Sequence, residues 1–268
     1  MSKFRAFVGP AAAIALSMPA VAETTITIFQ TGFEASEGYA GGALNGQNGW
    51  SPFLGISPNM AQVVDTSALG GSQAVRLDSQ SLDVIDDPAG ALRGGSIGRA
   101  LSVPATQDAL ALASISLGAK FQIQAAGPIE PMLGTNVILW GGSGGDVFVE
   151  GAGPGIESNL PIFGYATPPA FNNATPIQLG TTYSFQVDLD YATGVSTLHF
   201  DGVLLDSRPF DTSTLPSLLD MQLVNLDTSL VDANVFYDDL SVTASYIPAP
   251  GAAALLGLVG LTASRRRR

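Results

Sequence analysis

Tyr183-Ser-Phe-Gln-Val-Asp-Leu-Asp-Tyr191, Ala192-Thr-Gly194, Val195-Ser-Thr-Leu-His-Phe200, Asp201-Gly202 and Val203-Leu-Leu205 follow one another without a break, and this stretch decides the fold. Tyr183, Phe185, Val187, Leu189 and Tyr191 occupy alternate positions, with Ser184, Gln186, Asp188 and Asp190 between them. Side chains alternate across a strand, so this period of two predicts a strand with one buried and one wet face. Ala192-Thr-Gly194 turns the chain. The return run places Ser196, Leu198 and Phe200 on one face, and Asp201-Gly202 is a strong signal for a tight hairpin turn. Three strands joined by short turns make an antiparallel meander.

The pattern repeats outward from there. Further strands are expected at Thr25–Phe29, Gln73–Leu77, Ile97–Val103, Ser114–Gln124, Val137–Gly141, Asp146–Glu150, Met221–Leu226 and Val235–Ala244. Asp108–Ala113 fits either a helical turn or part of a strand. Glycine and proline punctuate the whole chain, no long helical period occurs, and no repeat is found. Short strands separated by turn residues predict an all-β, antiparallel β-sandwich or barrel.

Three parts are expected: a signal peptide over 1–22, a β-sandwich domain over 23–244 and a sorting or anchor segment over 245–268. Lys3 and Arg5 precede the apolar run Phe7–Met18, and Ala20-Val-Ala22 is a small-residue cleavage site. Pro10 and Pro19 would interrupt a buried helix there. At the other end an uncharged run from Gly251 to Ser264 precedes Arg265, Arg266, Arg267 and Arg268. Basic clusters stay on the cytoplasmic side, so the pattern reads as stop-transfer. The run is shorter than the about 20 apolar residues that a bilayer core requires. Both ends predict short helices and export.

Between the ends, Arg76, Arg93, Arg99, Lys120 and Arg208 face all 23 acidic residues of the chain. So acidic a surface repels nucleic acid and anionic headgroups and suits neutral glycans, cations or solubility. Cysteine is absent. That removes disulfides, thiol catalysis and cysteine zinc sites.

Pro248-Ala249-Pro250, the apolar run and the arginine cluster, in that order, resemble the PEP-CTERM sorting signal of exported bacterial proteins, with Ala249 in place of the usual Glu. The resemblance implies transient membrane insertion, processing by an exosortase-type enzyme, and delivery to the cell surface or extracellular matrix. In the body, Gly32-Phe-Glu34, Leu44-Asn-Gly-Gln-Asn-Gly-Trp50, Asp188–Gly194, Phe200-Asp-Gly202 and Asp238-Asp-Leu-Ser-Val242 resemble concanavalin A-like lectin/glucanase jelly rolls. This implies two curved antiparallel sheets and a glycan-binding or adhesive role. It names no ligand, because the fold hosts many functions.

Several residues stand out as candidates for chemistry. Glu34 follows the first strand, and Asp238 and Asp239 lie in the last, which often pairs with the first in such sandwiches. Asp238 is expected on the core face with Phe236, Leu240 and Val242. A buried carboxylate is costly unless paired or metal-bound. Glu34, Asp238 and Asp239 are therefore candidate calcium ligands, similar to the structural calcium site of jelly-roll binding modules. The alternative is an Asp capping a turn. Trp50, after a polar Asn/Gly loop, and Trp140 could stack on sugar rings.

Catalysis is not expected. The Glu-x-Asp-x-x-Glu run of the related glucanases does not occur. Gly141-Gly-Ser-Gly-Gly145 matches a nucleophile elbow in letters, but the strand expected after it makes a hairpin turn the better account. His199 reads as a surface histidine. A glycoside hydrolase or lyase using Asp188, Asp190 and Glu150 is the alternative to a non-catalytic glycan-binding or structural protein.

Overall fold

The computed structural model describes residues 23–248, except 54–56, 58, 85–92, 109, 126–132, 143–144, 146, 158–159, 168–169 and 226–232. The expected signal segment with Ala20 and Ala22, and Ala249–Arg268 with the arginine cluster, lie outside the described residues, as do both expected terminal helices. In chain order the strands are β1 Thr24–Thr31, β2 Gly42–Ala43, β3 Trp50–Pro52, β4 Ala61–Asp65, β5 Gln73–Asp78, β6 Asp83–Val84, β7 Arg93–Ala100, β8 Thr106–Gln107 and β9 Leu110–Ala125. There follow β10 Leu133–Gly141, β11 Val147–Glu157, β12 Leu160–Thr167, β13 Ala170–Pro176, β14 Thr182–Asp190, β15 Val195–Phe200, β16 Val203–Pro209, β17 Pro216–Asn225 and β18 Ala233–Pro248.

These strands form two antiparallel sheets. The larger runs β16-β15-β14-β9-β18-β5-β4-β2, with β1 on β18 and β8 on β9. The smaller runs β13-β12-β11-β10-β17-β7-β3, with β6 on β7. The antiparallel sandwich is thus as expected. The meander is β14-β15-β16, with Phe185, Val187 and Leu189 buried. Asp201 and Gly202 both take positive φ, at 46° and 75°. That is the twist a two-residue hairpin turn needs. Asp108 turns at φ 49° before β9, so the ambiguous segment is a turn followed by strand. β18 runs to Pro248 and pairs Pro248 with Leu110, four residues past the expected domain boundary.

The apolar core lies between the sheets. Phe163 from β12 stacks on Phe121 of β9, centroids 5.3 Å apart. It also meets Phe185 at 5.5 Å and Phe200 at 4.8 Å. Three polar contacts bridge the layers. Thr135 Oγ1 and Tyr237 Oη lie 3.1 Å apart, Tyr165 Oη and Ser196 Oγ 3.0 Å apart, and Arg208 pairs with Glu150. Arg208 also lies 3.8 Å over the Tyr165 ring. Burial pushes the Tyr165 phenol up to about 12, so it stays a neutral hydrogen-bonding group.

β18 corrects one expectation. Tyr237 pairs with Phe121 and Asp238 with Lys120, but the next printed pair is Ser241 with Gly118. Three residues of β18 span two of β9, which is a β-bulge, and Asp239 sits there at φ 48°. The extra residue reverses which parity faces inward. Val235 and Tyr237 face the core before it, and Leu240, Val242, Ala244 and Tyr246 after it. Phe236 packs instead on the opposite face with Leu69 and Ala74. Asp238 shares that outer face and does not point into the core.

Phe121→Ala would leave Phe163 facing a cavity in the middle of the sandwich. The expected loss is about 3–5 kcal/mol of unfolding free energy, measured by urea denaturation. A loss below about 1 kcal/mol would show that these rings do not join the layers.

Candidate functional site

The structure brings the expected acids together, on the outer face of the larger sheet. β18 pairs with β5 through Asn234–Tyr237 and with β1 through Leu240–Tyr246. The neighbour on that edge therefore changes at Asp238-Asp239. β1 departs there through Gly32–Glu34 while the 71–73 segment arrives. Glu34 Oε1 accepts from Ser72 N at 2.8 Å and Gln73 N at 3.3 Å, and Oε2 accepts from Ser72 Oγ. Those bonds from Ser72 hold its carboxyl below the usual range. A Cβ added to Gly71 would strike Glu34 Oε1 and lie 3.0 Å from Asp238 Oδ2 and 3.3 Å from the Gln73 carbonyl oxygen. Only glycine fits between these three oxygens.

Asp238 is 2% exposed, and desolvation together with the charges of Asp239 and Glu34 pushes its carboxyl up to about 6. Asp238 Oδ1 accepts from Asp239 N at 2.8 Å. Asp239 turns elsewhere, its Oδ2 lying 2.6 Å from Lys120 Nζ. Phe33 next to Glu34 is held at φ 58°, so two non-glycine residues beside the cradle sit in the left-handed region. No cluster of three or more acidic, histidine or cysteine side chains placed to hold a metal occurs among the described residues. Glu34, Asp238 and the nearby carbonyl suit an oxygen-seeking cation. Asp239 belongs to Lys120 as the side chains stand.

Trp50 requires a correction. It is 1% exposed, its indole N–H donates to Tyr39 Oη at 3.2 Å, and its ring packs on Phe29 at 6.0 Å. It is a core residue with no face open to a ligand. Trp140 is the tryptophan on an outer surface. β10 leaves it half-buried on the outer face of the smaller sheet, between Phe53 at 5.8 Å and Phe148 at 5.6 Å.

What orients Trp140 is Asp220, which the sequence reading did not single out. β17 alternates Leu219, Met221 and Leu223 toward the core with Asp220 and Gln222 on the outer face. Asp220 is 0% exposed. Its Oδ2 accepts from Trp140 Nε1 at 3.1 Å and Gln222 Nε2 at 2.7 Å, and its Oδ1 accepts from Ser96 Oγ at 2.6 Å. Desolvation pushes the carboxyl up to about 6 against the pull of these three donors. Ser96 can turn its hydroxyl round, whereas the two N–H groups cannot accept, so a proton on Asp220 belongs on Oδ1. The indole N–H is tied down in either state.

Two glycines of β11 lie tight against β10. A Cβ on Gly153 would collide with the Thr135 carbonyl oxygen, and one on Gly151 would come within 2.8 Å of the Val137 carbonyl oxygen. Side chains are excluded there by the close approach of β10, including the Ile138 side chain against Gly151. Asn136 Oδ1, one strand over, is buried without a hydrogen-bond partner.

The acids of the enzymatic alternative do not meet. Asp188 and Asp190 lie on the outer face of the larger sheet. Asp188 accepts from Ser116 Oγ and from Gln186 Nε2 at 2.7 Å, and sits 3.4 Å from His199 Nδ1. Asp190 caps the following turn through Ala192 N at 2.8 Å and Thr193 N at 3.1 Å. Glu150 points between the sheets and is held by Arg208. β10 and β11 form a hairpin with Gly141 opposite Val147, as expected for the glycine run, while Ser143 lies outside the described residues.

Compared with known protein families and with curated proteins, the chain matches none. Solved structures do resemble it. A carbohydrate esterase from a Shiga toxin-encoding bacteriophage superposes with a TM-score of 0.52 at 14% identity, over 84% of this chain and 100% of that one. Peanut lectin superposes at 0.50 and 11% identity, over 86% and 100%. A sialidase matches at 0.43 and 13%, over 72% of this chain but only 17% of its own length. The chain shares the antiparallel two-sheet sandwich of the first two.

The Asp220 shift gives a signed expectation. A carboxyl with a raised folded-state value adds stability that is complete below the unfolded value near pH 4 and is lost as pH rises through about 6. The stability of the wild type relative to Asp220→Asn should therefore decline between about pH 4 and 6 and level off above. Thermal unfolding across this range measures it, and a difference that grows with pH would rule out the buried, ionising Asp220.

Proposed function

We propose that this is an exported, cell-surface- or matrix-directed β-sandwich that binds extracellular polysaccharide without catalysis. The observation that carries the proposal is Trp140. It is an indole on an outer sheet face, flanked by Phe53 and Phe148 and fixed through its N–H to the buried Asp220. Stacking against the C–H face of a sugar ring needs a rigid, partly exposed aromatic surface. The lectin-type sandwich and the acidic composition support a neutral glycan as ligand. Export would follow from the 1–22 segment. Anchoring or exosortase-type processing would follow from Pro248-Ala249-Pro250 and the arginine cluster, with a transient membrane contact on the way.

On a glycan array, Trp140→Ala should weaken binding about tenfold or more at a temperature where circular dichroism shows the variant still folded, its melting temperature falling because Asp220 loses a donor. Wild-type protein that retains no glycan would leave a purely structural matrix role. Binding unchanged in Trp140→Ala would move the site elsewhere.

Calcium belongs to the same proposal as a structural ion. Glu34 and Asp238 would hold it with main-chain oxygens, and the charge would relieve the crowding that now raises Asp238. Added calcium should raise the melting temperature, and Asp238→Ala should abolish the rise. A flat calcium titration would end the idea.

A further inference from the structure

Arg99 carries a different site. In so acidic a chain cations are scarce, and those described are matched with acids. Arg76 lies 3.7 Å from Asp78, Lys120 lies 2.6 Å from Asp239, and Arg208 pairs with Glu150. Arg99 is the exception. Among the described residues it makes no salt bridge. Its guanidinium lies 4.6 Å over the Phe29 ring and donates one bond, to the Asn48 carbonyl oxygen. A guanidinium offers five N–H donors in a planar fork, and most of these have no partner among the described residues.

The group lines an open groove of about 580 Å³ between β1, the 37–48 loop and β7. Thr27, Gln30 and Asn48 border the groove with exposed polar side chains. Glu37 also lines it, but its Oε2 already accepts from Thr31 Oγ1 at 2.9 Å, Gly32 N at 2.9 Å and Glu34 N at 3.1 Å. All three bonds fall on Oε2, which caps its own turn; the Glu37 charge stays in the groove, but no salt bridge joins it to Arg99. Phe29 holds the guanidinium from beneath, and a fork so presented matches the two oxygens of a carboxylate.

We infer that the Arg99 groove binds a carboxylate-bearing sugar unit, the guanidinium taking the carboxylate and Thr27, Gln30 and Asn48 the ring hydroxyls. The many surface acids oppose a run of anionic sugars at long range. Beyond about 8 Å that field is screened at physiological salt, whereas a contact pair is not. The site therefore suits one acidic unit within an otherwise neutral chain. This site is separate from Trp140 and stands or falls independently of it.

The test is calorimetric titration of the full chain with glucuronic acid, glucose and acetate at about 0.15 M salt. Glucuronic acid should bind at least roughly tenfold more tightly than glucose, and more tightly than acetate. Arg99→Gln should remove that preference. Arg99→Lys, which keeps the charge but loses the fork, should retain a weakened one, and serves as the second variant if Arg99→Gln does not fold. Trp140→Ala should leave glucuronic acid binding intact. Equal binding of glucuronic acid and glucose, or a preference that survives Arg99→Gln, would overturn the inference. Acetate binding as tightly as glucuronic acid would reduce the site to a simple carboxylate pocket and overturn its assignment to a sugar.

Discussion

One extra residue in β18 governs much of this molecule. β18 is the long central strand of the larger sheet, flanked by β9 on one side and by β1 and β5 on the other. The bulge at Asp239 reverses the facing of its side chains midway, so a single strand serves the core with odd positions above and even positions below. It also marks where the strand exchanges β5 for β1 as its neighbour. Three chain segments converge there, and the Glu34–Asp238 cradle is their meeting point. Positive φ at Asp239 and Phe33 is local strain that the surrounding strand pairing sustains.

The two sheets divide their labour. Between them lie the stacked phenylalanines and a few polar bridges, which fix the layers against sliding. Their outer faces differ in character. That of the larger sheet is mainly polar, with Asp188 tied to Ser116 and Gln186, apart from the small Phe236–Leu69–Ala74 cluster. That of the smaller sheet carries a buried carboxyl and a fixed indole. A carboxylate taken fully out of water needs donors on both oxygens, and Asp220 has three. The same bonds orient Trp140, so the group that is costly to bury also makes the aromatic surface rigid.

The meander was legible in the sequence because Tyr183–Phe200 keeps strict alternation and its turns carry Gly194 and Asp201-Gly202. β12 and β13 were not, because Pro161, Gly164, Asn172, Asn173 and Pro176 mask any period. β13 ends its sheet and β12 lies next to it, and proline and loose patterning are tolerated toward an edge. The convergence of Glu34 with Asp238 was legible from the pairing of first and last strands. The face of Asp238 was not, because an inserted residue leaves no mark in the hydrophobic pattern. Trp50 follows a polar Asn/Gly loop and Trp140 the apolar run Val137-Ile-Leu139, so local sequence suggests the reverse of the outcome: the first is swallowed by Phe29 and Phe33 while the second stays on the surface.

By itself the sequence determined an antiparallel all-β chain, its strongly acidic character and the absence of thiol chemistry. Each of these follows from residue counts or from a period of two, which are local properties. Tertiary structure alone decided which outer faces are buried, which carboxylates acquire partners and that Arg99, among the described residues, has no acidic one. Those outcomes depend on residues far apart in the chain, such as Ser96 with Asp220 or Arg208 with Glu150. Only the register of paired strands brings such groups within hydrogen-bonding distance.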